Sequence, residues 1–441
     1  MYGRAESEKV LGTRLFFMLV LVAVDALVLI LIMTGLSELE YGARIPGALG
    51  TLALAIVCNL LAVYLFGGYV LRRQLSFIHI PAQMGAATGL ASVMILVVGY
   101  AFKLVELDPL LWRTVFLYGM LLFGCWLVLS RLVLAYTIRW FTVIPTWYVW
   151  GDSTIIDTIR EDVEAIYGEQ DVQTYSGTNT TQEVAGVIAL PGVLTEDKAE
   201  QVVALRMSGI RVFTLEEYYE KFLYRLPVRL MSNSWFATSA DFGLLHQEIP
   251  LRIKRTIDVL GALIGLLLLG WLMLLISVLV KLQDKGSAIY KQRRVGVNGR
   301  SFSLYKFRTM VVDAEKDGAQ WTAKGDSRIT WLGRYLRAAR LDELPQLFNV
   351  LRGDMSLIGP RPERPSFVAQ LEKKIPFYSY RHAVKPGITG WAQVMYPYGA
   401  SEEDAERKLE YDLYYIRHFT LMLDMFIVLR TLRVVLFGKG R

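Results

Sequence analysis

The chain has 441 residues, of which 54% are hydrophobic and 20% charged, and its mean hydropathy is +0.36. That composition excludes a disordered chain and argues against a purely soluble enzyme. The net charge of +7 is unevenly spread: 10 basic against 7 acidic residues in 1–139, 7 against 16 in 140–249, and 31 against 18 in 250–441. A basic last segment suits a membrane surface, a nucleic acid or a polyanionic small substrate such as a nucleoside diphosphate.

Four apolar stretches, at about 15–36, 47–70, 84–102 and 114–134, each approach the ~20 residues that cross a bilayer as a helix. They predict a four-helix transmembrane module over 1–140. Arg4, Lys9, Arg14, Arg72, Arg73, Arg131 and Arg139 mark one side. Arg44, Lys103 and Arg113, diluted by Glu38, Glu40, Glu106 and Asp108, mark the other. The positive-inside bias puts both ends of the module in the cytoplasm. Asp25, inside the first stretch, is expected either to find a buried partner or to mark a site. Cys58 and Cys125 lie in apolar runs and read as packing residues. Four histidines, at 79, 246, 382 and 418, are too scattered for a zinc site.

Residues 141–249 change character. Strands at Thr146–Trp150, Val184–Leu190 and Ile210–Thr214 alternate with helices at Asp152–Ile166 and Thr195–Ser208, the pattern of a soluble α/β domain of Rossmann-like type followed by a linker. A dinucleotide fingerprint needs several glycines after the first strand, and only Gly151 of Trp150-Gly151-Asp152-Ser153 supplies one. A regulatory or assembly role without NAD is therefore the favoured reading of this domain.

A fifth apolar stretch, Val259–Val280, carries no charge over 22 residues. Its flanks are basic on both sides: Arg252, Lys254 and Arg255 before it, Lys281, Lys285, Lys291, Arg293 and Arg294 after it. A re-entrant helix over about 256–281 satisfies both flanks, whereas a straight crossing places one cluster on the outer face. Gly261, Gly265 and Gly270 are candidates for a bend.

The chemistry is expected in Arg337-Ala-Ala-Arg340-Leu-Asp342-Glu343-Leu-Pro345-Gln346. Pro345 suits the first turn of a helix, which places Asp342 near its N-cap, where free N–H groups and the helix dipole attract phosphate. Arg337 and Arg340 add forked donors. Taken alone, an Asp-Glu pair reads far more readily as a capping residue with a solvated neighbour than as a reactive site.

The surroundings decide the matter. Tyr305-Lys306-Phe307-Arg308-Thr309-Met310 precedes this run. Gly353-Asp354-Met355-Ser356-Leu357-Ile358-Gly359-Pro360-Arg361-Pro362-Glu363 and Lys385-Pro386-Gly387-Ile388-Thr389-Gly390-Trp391-Ala392-Gln393-Val394 follow. Together these motifs resemble the bacterial sugar transferase family, the monotopic polyprenyl-phosphate sugar-1-phosphate transferases, over residues 250–441. The four preceding helices and the degenerate Rossmann-like domain resemble its larger members, which initiate exopolysaccharide or O-antigen synthesis. The resemblance implies a mainly helical catalytic domain over 250–441, a UDP-sugar donor and a polyprenyl (undecaprenyl) phosphate acceptor. It also implies Mg2+ held at Asp342 and Glu343, with Asp342 as the nucleophile. Lys306, Arg308, Arg337, Arg340, Pro360, Arg361, Pro362 and Arg381 fall at its phosphate and nucleotide positions, and Asp412 and Asp424 at its supporting acidic positions. The family breaks its re-entrant helix with a Ser-Pro pair, where this chain has Gly270-Trp271. A homodimer through the middle domain is a further implication.

Physical logic agrees, because a carboxylate attacking a diphosphate needs a divalent cation and fixed positive groups to offset the clustered negative charge. His418–Leu436 reads equally as an interfacial helix and as core, with Phe419, Leu421, Leu423, Phe426, Ile427 and Leu429 beside Arg430 and Arg433. The expectation is a multi-pass protein of the bacterial inner membrane, its catalytic domain on the cytoplasmic face, that moves a sugar-1-phosphate onto polyprenyl phosphate and releases UMP. The rival classes are a membrane-anchored nucleotide-sugar oxidoreductase and a non-catalytic scaffold meeting anionic lipid. Nucleic-acid binding is not expected, since no recognition motif accompanies the charge.

Overall fold

A computed structural model describes residues 2–41, 48–69, 79–101, 109–141, 146–152, 155–167, 172–175, 184–190, 193, 196–231, 235–236, 248–284, 286–312, 314, 326–396, 399 and 401–437. The flanking charges Arg44, Arg72, Arg73, Lys103, Glu106, Asp108 and Lys285, with Ser153 and His246, lie outside these residues. The chain divides into two compact units, Met1–Leu215 and Glu216–Arg441.

The first unit opens with four helices: α1 (Tyr2–Tyr41), α2 (Ala48–Leu65), α3 (His79–Ala101) and α4 (Pro109–Phe141). Met18–Glu40, Ile80–Gly99 and Thr114–Thr137 are long and apolar enough to cross a membrane, and α2 is apolar over Gly50–Leu65. Polarity in this bundle is inverted relative to a soluble one. On α3 the small residues Ala87 and Ala91 join Met84 and Ile95 in the core, while Val93, Leu96 and Val97 face outward. Small residues at such a seam let helices approach closely without a hydrophobic driving force between them. Asp25 has found a partner. Its carboxylate pairs with Arg131 and accepts Trp126 Nε1–H at 3.1 Å, while Arg131 Nε donates to the Gly68 carbonyl at 2.9 Å.

An α/β domain completes this unit. Strands β1 (Thr146–Trp150), β2 (Val172–Thr174), β3 (Val184–Ala189) and β4 (Val212–Thr214) form one parallel sheet in the order β2-β1-β3-β4. Helices α5 (Ile156–Tyr167) and α6 (Glu196–Met207) supply the intervening turns of chain. Strand β2 was not expected. It is only three residues long and shows no alternation, so it carried no periodic signal.

In the second unit, α7 (Glu248–Asp284) is a continuous helix through Gly270 and Trp271, with no unwound turn at the position where the family's break falls. It contains a candidate span, Ile249–Gln283. One stripe of α7, Lys254, Asp258, Ala262, Met273, Ile276 and Val280, is buried, and Leu260, Leu267, Trp271, Leu274 and Leu282 are exposed along the other. The hairpin β5 (Ile289–Val295) and β6 (Ser301–Phe307) pairs Tyr290 with Lys306. Helices α8 (Trp331–Ala338) and α9 (Gln346–Arg352) follow, then the parallel pair β7 (Ser356–Ile358) and β8 (Gly387–Thr389), with α10 (Pro365–Lys374) between them. Helices α11 (Trp391–Met395), α12 (Glu402–Arg417) and α13 (Leu421–Phe437) close the chain. Leu226, Val228 and Met231, expected in a linker, share a buried cluster with Ile358, Tyr378, Trp391 and Tyr415. Helix α13 combines both readings of its sequence: Asp424 and Ile427 face inward, Met422, Met425 and Phe426 outward.

Candidate active site

The Asp-Glu dyad does not sit on the first turn of a long helix. Leu341–Glu343 forms a separate 3-10 turn, and α9 starts at Gln346 with Pro345 as its N-cap. The N-cap placement of Asp342 is thus corrected by one helical turn: Asp342 lies in the 3-10 turn that opens after Arg340, itself in the left-handed region at φ 57°, and the helix begins only after Pro345. A non-glycine residue there is uncommon, and its side chain is engaged. Arg340 Nη1 approaches Glu343 Oε1 at 3.3 Å.

Two frames hold this turn in place. Behind it, Asn349 of α9 is fully buried and clamps β6: its Nδ2 donates to Ser303 O at 2.8 Å, and its Oδ1 accepts Tyr305 N–H at 3.0 Å. Beside it, Thr330 caps α8 by accepting Gly333 N–H at 3.0 Å, and Arg337 Nε donates to Thr309 Oγ1 at 2.8 Å. Leu341 and Leu344 pack with Met273, Ile276, Phe307 and Leu336, so the dyad rests on the far half of α7.

The Gly-Pro-Arg-Pro loop arrives from β7. A side chain at Gly359 would strike the Lys385 carbonyl, one at Gly387 would strike Gly359 N, and one at Gly390 would strike Gly359 O. These three glycines therefore let two backbone segments interlock, with Gly359 N–H donating to Thr389 O and Gly387 N–H to Pro360 O, both at 2.9 Å. Arg294 Nη1 donates to the Pro362 carbonyl at 3.0 Å and fixes the far end of the loop. From this loop Arg361 Nη2 reaches Glu343 Oε1 at 2.8 Å.

The two carboxylates are both buried yet differently placed. Burial alone would raise Glu343, but Arg361 and then Arg340 overcome it and hold the carboxyl low, at about 2. Asp342 is pushed up, to about 6, first by burial and then by the neighbouring Glu343 charge, against Lys306, Arg337 and Arg361. Among the described residues, no hydrogen bond or ion pair takes either Asp342 oxygen. Lys306 lies with its Nζ 5.1 Å from the Tyr290 ring centroid. Burial, then Arg294, lowers its ammonium to about 8, against the pull of Asp342.

Not every predicted residue joins this cluster. Arg308 lays its guanidinium against Gly286, where a Cβ would collide with it. Arg381 is buried; it donates to Tyr378 Oη at 2.6 Å and to Arg361 O at 3.0 Å, and forms an ion pair with Asp412 Oδ2 at 2.7 Å. It supports the backbone of Arg361 instead of presenting a fork to a ligand. Asp424 pairs with Lys254 at 2.6 Å, at the root of α7. Asn349, Arg294 and Asp258 were missed, because each acts on backbone distant in sequence and leaves no local motif.

The donor set is suited to magnesium. Glu343 keeps its second oxygen and Asp342 both, two carboxylates beside an electropositive rim, whereas no cluster of three or more His, Cys, Asp or Glu occurs among the described residues. Mg2+ is characteristically held by one or two carboxylates with substrate phosphates completing the shell.

An acidic dyad under a cationic rim, in a chain with helices long and apolar enough to cross a membrane, is the arrangement expected of a class of phosphate-binding membrane proteins. The comparisons narrow this class: residues 249–438 match the family described as Bacterial sugar transferase. The chain is 51% identical over 198 residues to the UDP-N-acetylgalactosamine-undecaprenyl-phosphate N-acetylgalactosaminephosphotransferase of Aeromonas hydrophila, 45% of this chain and 47% of the relative. It is 41% identical over 208 residues to the UDP-glucose:undecaprenyl-phosphate glucose-1-phosphate transferase of Caulobacter vibrioides, 46% of this chain and 78% of that protein. With the Putative undecaprenyl-phosphate N-acetylgalactosaminyl 1-phosphate transferase of Bacillus subtilis the identity is 52% over 131 residues, 30% of this chain and 73% of the relative. The chain spans about half the length of several of the relatives it matches. It belongs to the bacterial sugar transferase family.

Proposed function

We propose that the chain transfers a sugar-1-phosphate from a UDP-sugar to polyprenyl phosphate at the cytoplasmic face of a bacterial inner membrane. The observation that carries this reading is Asp342, a buried carboxylate whose oxygens meet no hydrogen-bond or ion-pair partner among the described residues, beside a Glu343 already fixed by Arg361 and Arg340. One carboxylate is free to react while its neighbour is held in place. Asp342 attacks the phosphorus next to the sugar, the bond from that phosphorus to the UMP oxygen breaks, and UMP leaves with the electron pair. A polyprenyl phosphate oxygen then attacks the same phosphorus and frees Asp342. The sugar's anomeric C–O bond stays intact throughout. Splitting the transfer lets one site serve a soluble donor and a lipid acceptor in turn.

Lys306, Arg337 and Arg361 supply the positive field that a diphosphate needs. Magnesium at Asp342 and Glu343 would neutralise phosphate charge when bound. Pro360 and Pro362 shape the nucleotide side of the loop. Helix α7 is read as keeping both ends on one side of the bilayer; because it runs unbroken through Gly270 and Trp271, it would do so by entering obliquely and not by turning back on itself. Supporting this, Lys254 near its start pairs with Asp424 and Val280 near its end packs on Phe307 and Leu336. The middle domain is read as Rossmann-like and as a site of self-association; only Gly151 of a dinucleotide fingerprint follows its first strand, which disfavours a dinucleotide-binding oxidoreductase.

The sugar is drawn from the hexoses and N-acetylhexosamines in the relatives' names. The test incubates the purified chain with undecaprenyl phosphate, Mg2+ and UDP-glucose, UDP-galactose, UDP-N-acetylglucosamine or UDP-N-acetylgalactosamine. UMP release from one donor, dependent on the acceptor, is expected; silence with all four rejects the reading.

A further inference from the structure

The root of α7 grips the strand from which the arginine loop extends. Asp258, four residues after Lys254 and on the same face, is buried, and its Oδ1 accepts Ser356 Oγ–H at 3.0 Å and Leu357 N–H at 2.9 Å. Ser356 Oγ accepts Ile358 N–H at 3.3 Å, so one carboxylate orders the whole of β7. A second limb converges on the same strand. Lys254 pairs with Asp424, Asp424 Oδ1 accepts the Tyr415 hydroxyl at 2.8 Å, and that hydroxyl lies 3.4 Å from Ile358 O. Beyond Ile358 the chain passes through the Gly359 interlock directly to Arg361 and its bond to Glu343. Interlocked backbone transmits displacement, because side chains cannot absorb it.

We propose that Asp258 is a positioning residue: by holding Ser356 and Leu357 it sets the loop that delivers Arg361 to Glu343, and so couples the seat of the membrane helix to the reacting dyad. The inference rests on the transferase reading for its kinetic consequence, though not for its mechanical one. A carboxylate serving stability alone would not act through Arg361. One that positions the loop must lose its influence once Arg361 is gone, the non-additivity expected of residues in one network.

The test uses the full chain in detergent or membranes. Asp258→Ala is expected to lower kcat for UMP release about tenfold, with the KM for the UDP-sugar little changed, and Asp258→Asn, whose amide oxygen accepts the same two bonds, to recover most of it. In an Arg361→Ala background the same Asp258→Ala change is expected to cost less than about twofold. A loss as large in that background as in the wild type, or wild-type turnover by Asp258→Ala, overturns the proposal. Hydrogen exchange supplies an arm independent of turnover: amides of 357–361 exchange faster in Asp258→Ala and not in Asp258→Asn. Unchanged exchange also overturns it. If the wild type releases no UMP, the transferase reading falls and the exchange arm still decides the role of Asp258. Should Asp258→Ala fail to fold, Ser356→Ala, which removes one of the two bonds, takes its place with a smaller effect in the same direction.

Discussion

Arg361 and Glu343 meet at 2.8 Å between Nη2 and Oε1, and this bond joins the loop after β7 to the dyad. It divides the labour of two adjacent carboxylates. Asp342→Asn keeps the shape of the side chain and removes its nucleophilic charge, so UMP release is expected to fall by about 10³-fold or more, with no phosphosugar adduct on the protein. Glu343→Gln leaves Asp342 intact but weakens the hold of Arg361 and Arg340, and a smaller loss, about 10²-fold, is expected with adduct still detectable. Intact-protein mass spectrometry after mixing with donor alone reads both. An adduct on the Asp342→Asn protein would remove Asp342 from the reaction.

The same cluster fixes a pH profile. Asp342, raised to about 6 by burial and by Glu343, reacts as the carboxylate and is active above that value. Lys306, lowered to about 8 by burial and by Arg294, binds phosphate as the ammonium and is active below that value. Acceptor-dependent UMP release should therefore rise through pH 6 and decline beyond pH 8. Lys306→Arg removes the upper titration, so its profile should stay flat to at least pH 9. An unchanged alkaline limb in that variant assigns the limb elsewhere.

Arg381 and Asp412 form a pair that is buried on both sides. Arg381→Leu leaves Asp412 without its counter-charge, and such a broken buried pair costs about 3–5 kcal/mol. Arg381→Leu combined with Asp412→Leu removes both charges and should recover most of that loss, as replacing a buried pair with apolar groups often does. Because Arg381 bonds the Arg361 carbonyl, the recovered double variant should still show reduced kcat with an unchanged KM for the UDP-sugar. A rise in KM alone would return Arg381 to the phosphate.

Much of this architecture is written locally in the chain. The apolar stretches give α1, α3 and α4, alternation gives β1 and β3, and Leu341–Gln346 with Gly359–Pro362 announces the dyad and its loop. What stayed hidden depends on distance along the chain. Arg381 looked like a phosphate ligand because its partner Asp412 stands 31 residues away and nothing local signals the pairing. Asp258 carries no local signal, since its acceptor role appears only when Ser356, 98 residues on, folds against it. The dyad's 3-10 turn was hidden for a different reason: a left-handed arginine has no propensity signature of its own.

The bundle in the first unit carries its own test in Asp25 and Arg131. Their contact links α1 to α4, and Arg131 Nε also holds the Gly68 carbonyl just past α2, so three parts of the bundle meet at one guanidinium. Both side chains are almost wholly buried in a segment apolar enough to lie in lipid, where an unpaired charge has no water to retreat to. Asp25→Ala strands Arg131 and should destabilise the bundle by about 3–5 kcal/mol, read as a lower thermal midpoint in mild detergent. Asp25→Asn keeps an acceptor for Trp126 Nε1 and for the guanidinium, so its loss should be smaller. Asp25→Leu with Arg131→Met removes both charges and should restore most of the stability, although Gly68 O then loses its donor. If the double variant is instead as unstable as Asp25→Ala, the Gly68 bond outweighs the ion pair, and Arg131 serves chiefly to tie the end of α2.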